Sequence, residues 1–472
     1  MDTKRSPSGG KNAKKPNDPT RPNARRVALR ALRRIDGGAF SDIVSDISLD
    51  RARAAGMSAA DAALASRLIR GVTERRITLD YIASTLSSRP LSRIDDETKC
   101  ILRIGLYQLA YCDRIPPHAA VSETVSLARG GSRGFCNALF REYLRRTEDG
   151  TRPYPLPERG RGEGELCRCL SIRYSVCEGL VRELLAAYGE ARTEAMLSAS
   201  LEPPPLTLRT NTLRTTREEL IKSINAEGLR AEPTTLSPHG IRVRGGLPSC
   251  LSGESPAAFV EDEAAQLAVK CLSPRPGERV LDACAAPGGK SISAAMMMED
   301  RGEILACELQ ASRLPLITAA AAAQGISIIR TCERDSSAPL PEGYRGYFDR
   351  VLCDVPCSGY GTIRRKPEIR YRDPAACADL PALGAAILKA SSAGVRPGGV
   401  LVYSTCTILP RENEDVVRAF LASHDEFEPM PISISGIEGG GDGMLTLTTD
   451  MPHGGDGFFI AAMRRRDVAE VK

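Results

Sequence analysis

The sequence predicts a multidomain chain: an all-α bundle, a small α+β module and a doubly wound α/β domain. Three observations carry that expectation. Helical periodicity without strands runs from Arg25 to about Arg146. A polar stretch rich in Pro and Gly interrupts the chain at 147–169. Beyond residue 252, short apolar runs alternate with helical stretches, beginning at Val280-Leu-Asp-Ala-Cys-Ala-Ala-Pro-Gly-Gly-Lys-Ser291. Strand, glycine turn and helix is the opening unit of a doubly wound domain, whose ligand sits above the carboxyl ends of the strands.

Taken in order, residues 1–24 hold many Lys and Arg against two Asp, with Pro, Gly, Ser and Asn between them. Such a segment buries too little to fold, so a disordered basic tail is expected, serving solubility or contact with nucleic acid. Over 25–146, Val27-Ala-Leu-Arg-Ala-Leu-Arg-Arg-Ile35 repeats apolar residues at helical spacing. The pattern returns at Ala59–Arg75, Leu79–Leu86, Asp96–Cys112, Ala119–Ala128 and Phe135–Leu144, which makes six helices and a separate bundle. Arg129, Arg133, Arg141, Arg145 and Arg146 would either meet phosphates or form a solvated helix face.

After the expected linker at 147–169, the α+β module spans 170–251. Its elements are a strand at Leu206–Arg214, a helix at Thr216–Gly228 and a strand at Gly240–Val243. The third domain, 252–472, opens with a helix at Phe259–Ala268. Later strands are expected at Ser327–Arg330, Phe348–Asp354 and Gly399–Cys406, with a closing hairpin within Met444–Met463.

Composition excludes several classes. No run approaches the ~18 apolar residues of a membrane span, and the start lacks the apolar stretch of a secretion signal. The fifteen cysteines are scattered through apolar segments rather than framing a small domain, so they read as reduced thiols of a cytoplasmic protein. With no C-x-x-C and only four separated histidines, no metal site is expected.

The glycine turn lets a ligand approach the backbone over Cys284, Ala285, Ala286, Pro287, Gly288, Gly289 and Lys290, and the helix start favours anionic groups. It matches neither the dinucleotide fingerprint nor the P-loop. Glu308 closes the next apolar run about twenty residues on, where an acid would hold a ribose hydroxyl pair. A nucleoside-bearing cofactor follows. Asp335, after the third run, is positioned to hold an adenine amino group, or else is an ordinary loop acid.

The segments DACAAPGGKS, DVPCSGYGTIRRKPEIRY and YSTCTILPRENEDVV together resemble the Nop/Sun family of RNA 5-methylcytosine methyltransferases, over roughly 255–465. The helical half resembles a NusB-like RNA-binding domain at Leu102-Arg-Ile-Gly-Leu-Tyr-Gln-Leu-Ala, Ile115-Pro-Pro-His-Ala-Ala-Val-Ser-Glu and Gly134-Phe-Cys-Asn-Ala-Leu-Phe-Arg. The resemblance implies S-adenosylmethionine as cofactor and RNA as partner. The joining of the two halves is the arrangement of bacterial enzymes that act on 16S ribosomal RNA; a monomer is expected. It further implies that Arg209 and Asn211 face RNA. Cys177 and Gly179 stand where the family usually has Pro and Trp.

Two cysteines fall at carboxyl ends of neighbouring strands, Cys357 in Asp-Val-Pro-Cys-Ser-Gly and Cys406 in Ser-Thr-Cys-Thr. Carbon 5 of cytosine is too electron-poor to accept a methyl group directly. A thiolate adding to carbon 6 creates an enamine whose carbon 5 attacks the sulfonium methyl. A base then removes the carbon 5 proton and the thiol departs. Asp354 is placed to hydrogen-bond the amidine edge of the base. Chemistry alone leaves either cysteine as the nucleophile. The resemblance assigns attack to Cys406 and product release to Cys357. Arg364, Arg365, Lys366 and Arg370 follow the Pro-Cys loop and suit RNA phosphates, or form a solvated basic turn. The rival readings are methylation of another RNA such as tRNA, a non-catalytic RNA-binding or antitermination factor, and an enzyme methylating protein or small molecules.

Overall fold

The structure, a computed structural model, describes residues 23–148, 153–155, 157–160, 162–434, 436–437 and 439–467. It divides into two compact units, Met1–Leu156 and Pro157–Lys472. Almost all of the expected basic tail lies outside the described residues. Its end does not: the Asn23 side chain accepts from the amides of Arg25 and Arg26 and caps the first helix.

The first unit is all-α among its described residues: α1 (Ala24–Asp36), α2 (Ser41–Ala54), α3 (Ala59–Glu74), α4 (Arg76–Leu86), α5 (Asp96–Tyr111), α6 (Pro117–Val125) and α7 (Ser132–Thr147). α2 was not anticipated. It buries only Ser41, Val44, Leu49 and Ala52, while Ile43 is exposed, so its apolar residues trace no clean stripe. α5 is the central helix; Ile101, Ile104 and Leu106 lie in one core with Leu68, Leu79, Ile82 and Phe140. Arg103 in α5 is nearly buried and bonds Asp80 at 2.7 and 2.8 Å and Asp36 at 2.7 Å. These carboxylates keep the guanidinium charged against the cost of burial. Of the arginines singled out, Arg133, Arg141 and Arg145 on the last helix are exposed, as is Arg129 before it, and Arg146 is half-buried.

The second unit starts inside the stretch expected to be a linker. α8 (Glu163–Tyr174) begins there and α9 (Glu178–Ala199) follows, kinked where Gly189 adopts φ 72°. Both bury apolar residues against the doubly wound domain: Leu170, Leu180 and Leu184 share a core with Tyr360, Ile369 and Leu409. Cys177 accounts for the corner where Pro was expected. Its amide donates to the Arg370 carbonyl at 2.8 Å, and a Cβ on Gly179 would stand 3.1 Å from Asp373 and Pro374. No larger side chain fits that approach without displacement.

Next come β1 (Leu206–Thr210), α10 (Arg217–Ala226), β2 (Arg230–Pro233), β3 (Gly240–Arg244) and β4 (Ala258–Val260), which form an antiparallel sheet in the order β2-β3-β1-β4. The strand expected at Leu206–Arg214 stops at Thr210, because the Asn211 side chain accepts from the Leu213 amide and turns the chain. The helix expected at Phe259–Ala268 is corrected as well. Phe259 and Val260 extend the small sheet, and α11 (Glu263–Leu272) starts only after the Asp262 carboxylate caps it at the Ala264 amide.

The large sheet holds β5 (Arg279–Asp282), β6 (Glu303–Glu308), β7 (Ile329–Glu333), β8 (Phe348–Asp354), β9 (Val395–Thr405), β10 (Phe427–Pro429), β11 (Met444–Leu447) and β12 (Phe458–Arg465). Its order is β10-β12-β9-β8-β5-β6-β7, with β11 also paired to β12. Strands β5 to β9 are parallel and β12 runs antiparallel to β9. Helices α12 (Gly289–Met297), α13 (Leu314–Gln324), α14 (Leu380–Ser392) and α15 (Glu414–Leu421) connect them. From β5 the chain winds outward through β6 and β7, then returns to β8 on the other side. The crevice between β5 and β8 is therefore the switch point at which such sheets bind ligands. Among the described residues, no helix is long and apolar enough to cross a membrane.

Candidate active site

Asp282 ends β5 at that switch point, buried, with Ser291 Oγ donating to its Oδ2 at 2.6 Å. Burial pushes its carboxyl up to about 6. The chain then turns through Ala285 and Gly288. Gly288 has φ 111°, in the region that favours glycine, and a Cβ there would meet Ile317 at 3.3 Å. On the neighbouring strand, Glu308 ends β6 and is buried. Its carboxylate accepts from the Gln310 amide at 3.0 Å and Arg313 Nη1 at 3.3 Å. Asp335 is exposed and accepts from the Ser337 amide and hydroxyl.

A cavity of about 440 Å³ opens here, lined by Cys284, Ala286, Glu308, Asp335, Cys357 and Cys406 among others. The structure thus brings both acids expected to hold the cofactor to one space with the thiols. The other members of the turn are placed differently. Ala285 packs beneath it with Ala306 and Ile317, and α12 begins at Gly289 after Pro287 and Gly288. Lys290 is engaged by an acid that lines the cavity: its Nζ bonds Asp354 Oδ2 at 2.7 Å and lies 5.4 Å from the Phe458 ring centre. Burial opposes its charge, yet Asp354 and then Glu261 hold the ammonium above its usual range.

The thiols are adjacent because β8 and β9 are. Asp354 pairs in register with Ser404, so the loops after each strand start side by side. Cys357 Sγ and Cys406 Sγ stand 3.3 Å apart. The loops can approach because residue 361 is glycine: its amide donates to the Cys406 carbonyl at 3.0 Å, and a Cβ there would fall 2.8 Å from that oxygen. The hydrogen bond from Cys357 holds the Cys406 thiol below its usual value, aided by Lys290 and Lys366 against burial and Asp354. Cys357 is pushed well above it by the same hydrogen bond and by burial. Ser404 Oγ donates to Asp354 Oδ1 at 2.8 Å, so that carboxylate is held from two directions.

Sequence reasoning passed over four residues here. Ser404 is one. Glu261 is another: it is buried under the glycine turn and accepts from Ser293 Oγ at 2.6 Å, and burial pushes its carboxyl up to about 7. Glu412 accepts from the Ser358 amide at 2.8 Å, and Asn413 accepts from Thr405 Oγ1 at 2.6 Å. The last two lie in YSTCTILPRENEDVV, where proximity to the Thr-Cys motif was the available signal.

The expected RNA contacts need correction. Arg209 and Asn211 are buried: Arg209 donates to the Ser293 carbonyl at 3.3 Å and faces Glu261, and Asn211 donates to Gln324 at 2.9 and 3.0 Å. They join the small sheet to the doubly wound domain instead of facing solvent. Arg364 is buried on Asp456 at 2.7 Å, and Arg365 bonds Asp456 and, at 2.9 Å, Asp262. Arg370 is fully buried and donates to the Tyr174 carbonyl at 3.1 Å and Ser200 Oγ at 2.9 Å. A charge desolvated by packed protein pairs internally. Of this quartet Lys366 alone is exposed. Among the described residues no cluster of three or more His, Cys, Asp or Glu is arranged to hold a metal ion.

Comparison with known proteins places these features together. Residues 269–464 match the family model described as 16S rRNA methyltransferase RsmB/F, 22–145 match the NusB family, and 178–249 match a ferredoxin-like domain of RsmF/B-like methyltransferases. A Synechocystis sp. protein named probable ribosomal RNA small subunit methyltransferase B is 34% identical over 456 residues, covering 94% of this chain and 99% of its own. Ribosomal RNA small subunit methyltransferase B of Klebsiella pneumoniae subsp. pneumoniae is 30% identical, with 94% and 98% covered. Among solved structures, PH0851 superposes with a TM-score of 0.77 at 23% identity, over 96% of this chain and 100% of that one. NSun6 from Pyrococcus horikoshii, solved with SFG, gives 0.56 at 21% identity, over 61% and 98%.

Proposed function

Because the chain belongs to the ribosomal RNA small subunit methyltransferase B family, we propose that it methylates carbon 5 of a cytosine in 16S ribosomal RNA, using S-adenosylmethionine and a covalent cysteine–cytosine adduct. The observation that carries this reading is the pair of thiols 3.3 Å apart, opening on the same cavity as Glu308 and Asp335.

The cavity suits such a cofactor. Its volume lies in the usual range of small-molecule sites, roughly 300–1,000 Å³, and the buried Glu308 carboxylate offers acceptors to a ribose. Glu308 would hold the ribose and Asp335 the adenine amino group. Bound there, S-adenosylmethionine supplies an electrophilic methyl group. The protein's part is otherwise its own. Cys406, the thiol whose ionised form Lys290 and Lys366 favour, attacks carbon 6 of the base. Asp354, held by Lys290 and Ser404, receives the amidine edge and stabilises the adduct. After methylation, loss of the carbon 5 proton restores the ring double bond and expels the Cys406 sulfur, with Cys357 assisting release. A base reaches this crevice only outside its stack, so an unpaired or flexible cytosine is the expected target.

Radiolabelled methyl transfer tested on ribosomal RNA, tRNA, protein and small molecules decides the substrate class. Bisulfite sequencing of 16S ribosomal RNA from a deletion strain then locates the base. Unmodified RNA in the first assay refutes the reading.

Two further outcomes follow from it. Glu308→Ala removes a charge-assisted acceptor and should weaken cofactor binding by about 1.5–3 kcal/mol without unfolding the domain. Calorimetric titration with unchanged affinity would take Glu308 out of the site. A chain beginning at Pro157 keeps α8 and α9 and every core of the second unit, so it should fold and bind cofactor. It should hold RNA less tightly, with a shallower dependence on salt. Identical affinity and salt slope would show that the helical unit does not bind RNA.

A further inference from the structure

The two thiols are chemically equivalent, yet the reaction needs one to attack and the other to wait. Something near them must break the symmetry. Adjacent residues at the start of α15 each hold one thiol loop. Glu412 is 2% exposed, and its Oε2 accepts from the amide of Ser358, the residue after Cys357, at 2.8 Å. Asn413 is fully buried; it accepts from Thr405 Oγ1 at 2.6 Å and donates to the Thr407 carbonyl at 3.1 Å, the residues flanking Cys406. Ser358 Oγ and Thr407 Oγ1 tie the loops together at 2.8 Å. The corner itself is anchored by the Tyr403 hydroxyl, which donates to the Glu412 carbonyl at 2.7 Å. Asn413 and the cross-tie set the spacing but carry no charge. Glu412 does, on the Cys357 side, and its Oε1 is buried without a hydrogen-bond partner.

We propose that Glu412 is a positioning residue that decides which sulfur keeps the shared proton: its buried carboxylate holds Cys357 as the thiol and leaves Cys406 as the thiolate. The surrounding charges act in the same sense. Cys406 is served by Lys290 on α12 and Lys366 beyond the Pro-Cys loop, against Asp354 at the end of β8. Cys357 faces Glu412 and Asp354, both negative. Glu183 of α9 adds a further carboxylate near Glu412, offset by its ion pair with Arg411 at 3.3 Å. A thiolate beside a buried carboxylate is repelled in low dielectric, so the proton settles on the sulfur nearer Glu412. The consequence for catalysis rests on the methyl-transfer reading; the asymmetry itself does not, and is measured without RNA or cofactor.

The test is alkylation of the full-length protein by iodoacetamide from pH 6 to 9, with each cysteine's rate read by peptide mass spectrometry. Both sulfurs line the same cavity, so the ratio of their rates reports thiolate character. In the wild type Cys406 should react about tenfold faster than Cys357 near pH 7. Glu412→Gln keeps an oxygen for the Ser358 amide and loses the charge; the ratio should fall about fivefold or more because the Cys357 profile moves to lower pH. Glu412→Asp restores the charge and should recover most of the ratio. Faster reaction at Cys357 in the wild type overturns the proposal even if no variant folds. So does an unchanged ratio in Glu412→Gln, or an equal fall in both variants, which would mark Glu412 as a purely mechanical tie.

Discussion

Cys406→Ala is expected to abolish turnover and adduct formation together, while Cys357→Ala traps the protein on its RNA. The first variant removes the sulfur favoured as thiolate by Lys290 and Lys366. Loss of the attacking atom costs on the order of 10⁴-fold or more in comparable covalent enzymes. The second leaves attack and methyl transfer possible but removes the group 3.3 Å from the departing sulfur. A band of reduced mobility should accumulate on a denaturing gel when RNA and cofactor are both present. Adduct in Cys406→Ala but not in Cys357→Ala would reverse the roles. Full activity in both would end the covalent mechanism.

Asp456→Ala should destabilise the second unit by about 3–5 kcal/mol, the usual consequence of breaking a buried ion pair. Asp456 is nearly buried and joins Arg364 and Arg365, which in turn reach Gly454, Asp262 and Pro205. Its loss leaves the Arg364 guanidinium, 3% exposed, without its carboxylate. Lys366→Ala is the matching control. That ammonium is exposed, so stability should hardly change while RNA affinity falls and the salt slope drops by about 1. Denaturant midpoints and RNA titrations at several salt concentrations separate the two. An Asp456→Ala protein as stable as the wild type, with weakened RNA binding, would return Arg364 and Arg365 to the RNA surface.

Both predictions turn on a distinction between residue type and residue environment. The sequence by itself determined the division into helical bundle, small sheet and doubly wound domain, since periodicity and glycine turns are local properties. It also determined the chemistry available at the ends of β5, β6, β8 and β9, because in a parallel sheet strand ends converge whatever the loops do. Glu308, Asp354, Cys357 and Cys406 were legible on that ground. Burial was not legible. Arg209, Arg364 and Arg370 look like any RNA-binding arginines in one dimension, and only packing of α12 against Arg209, of the 448–457 segment against Arg364 and of α8 and α9 against Arg370 encloses their charges. The helix α2 escaped for a related reason: its few buried positions make a stripe only once α3 lies against it. Tertiary structure alone decided the rest, bringing Glu412 onto the Cys357 loop and Lys290 onto Asp354. Those contacts join residues far apart in sequence, and a neighbour's charge acts through distance in space.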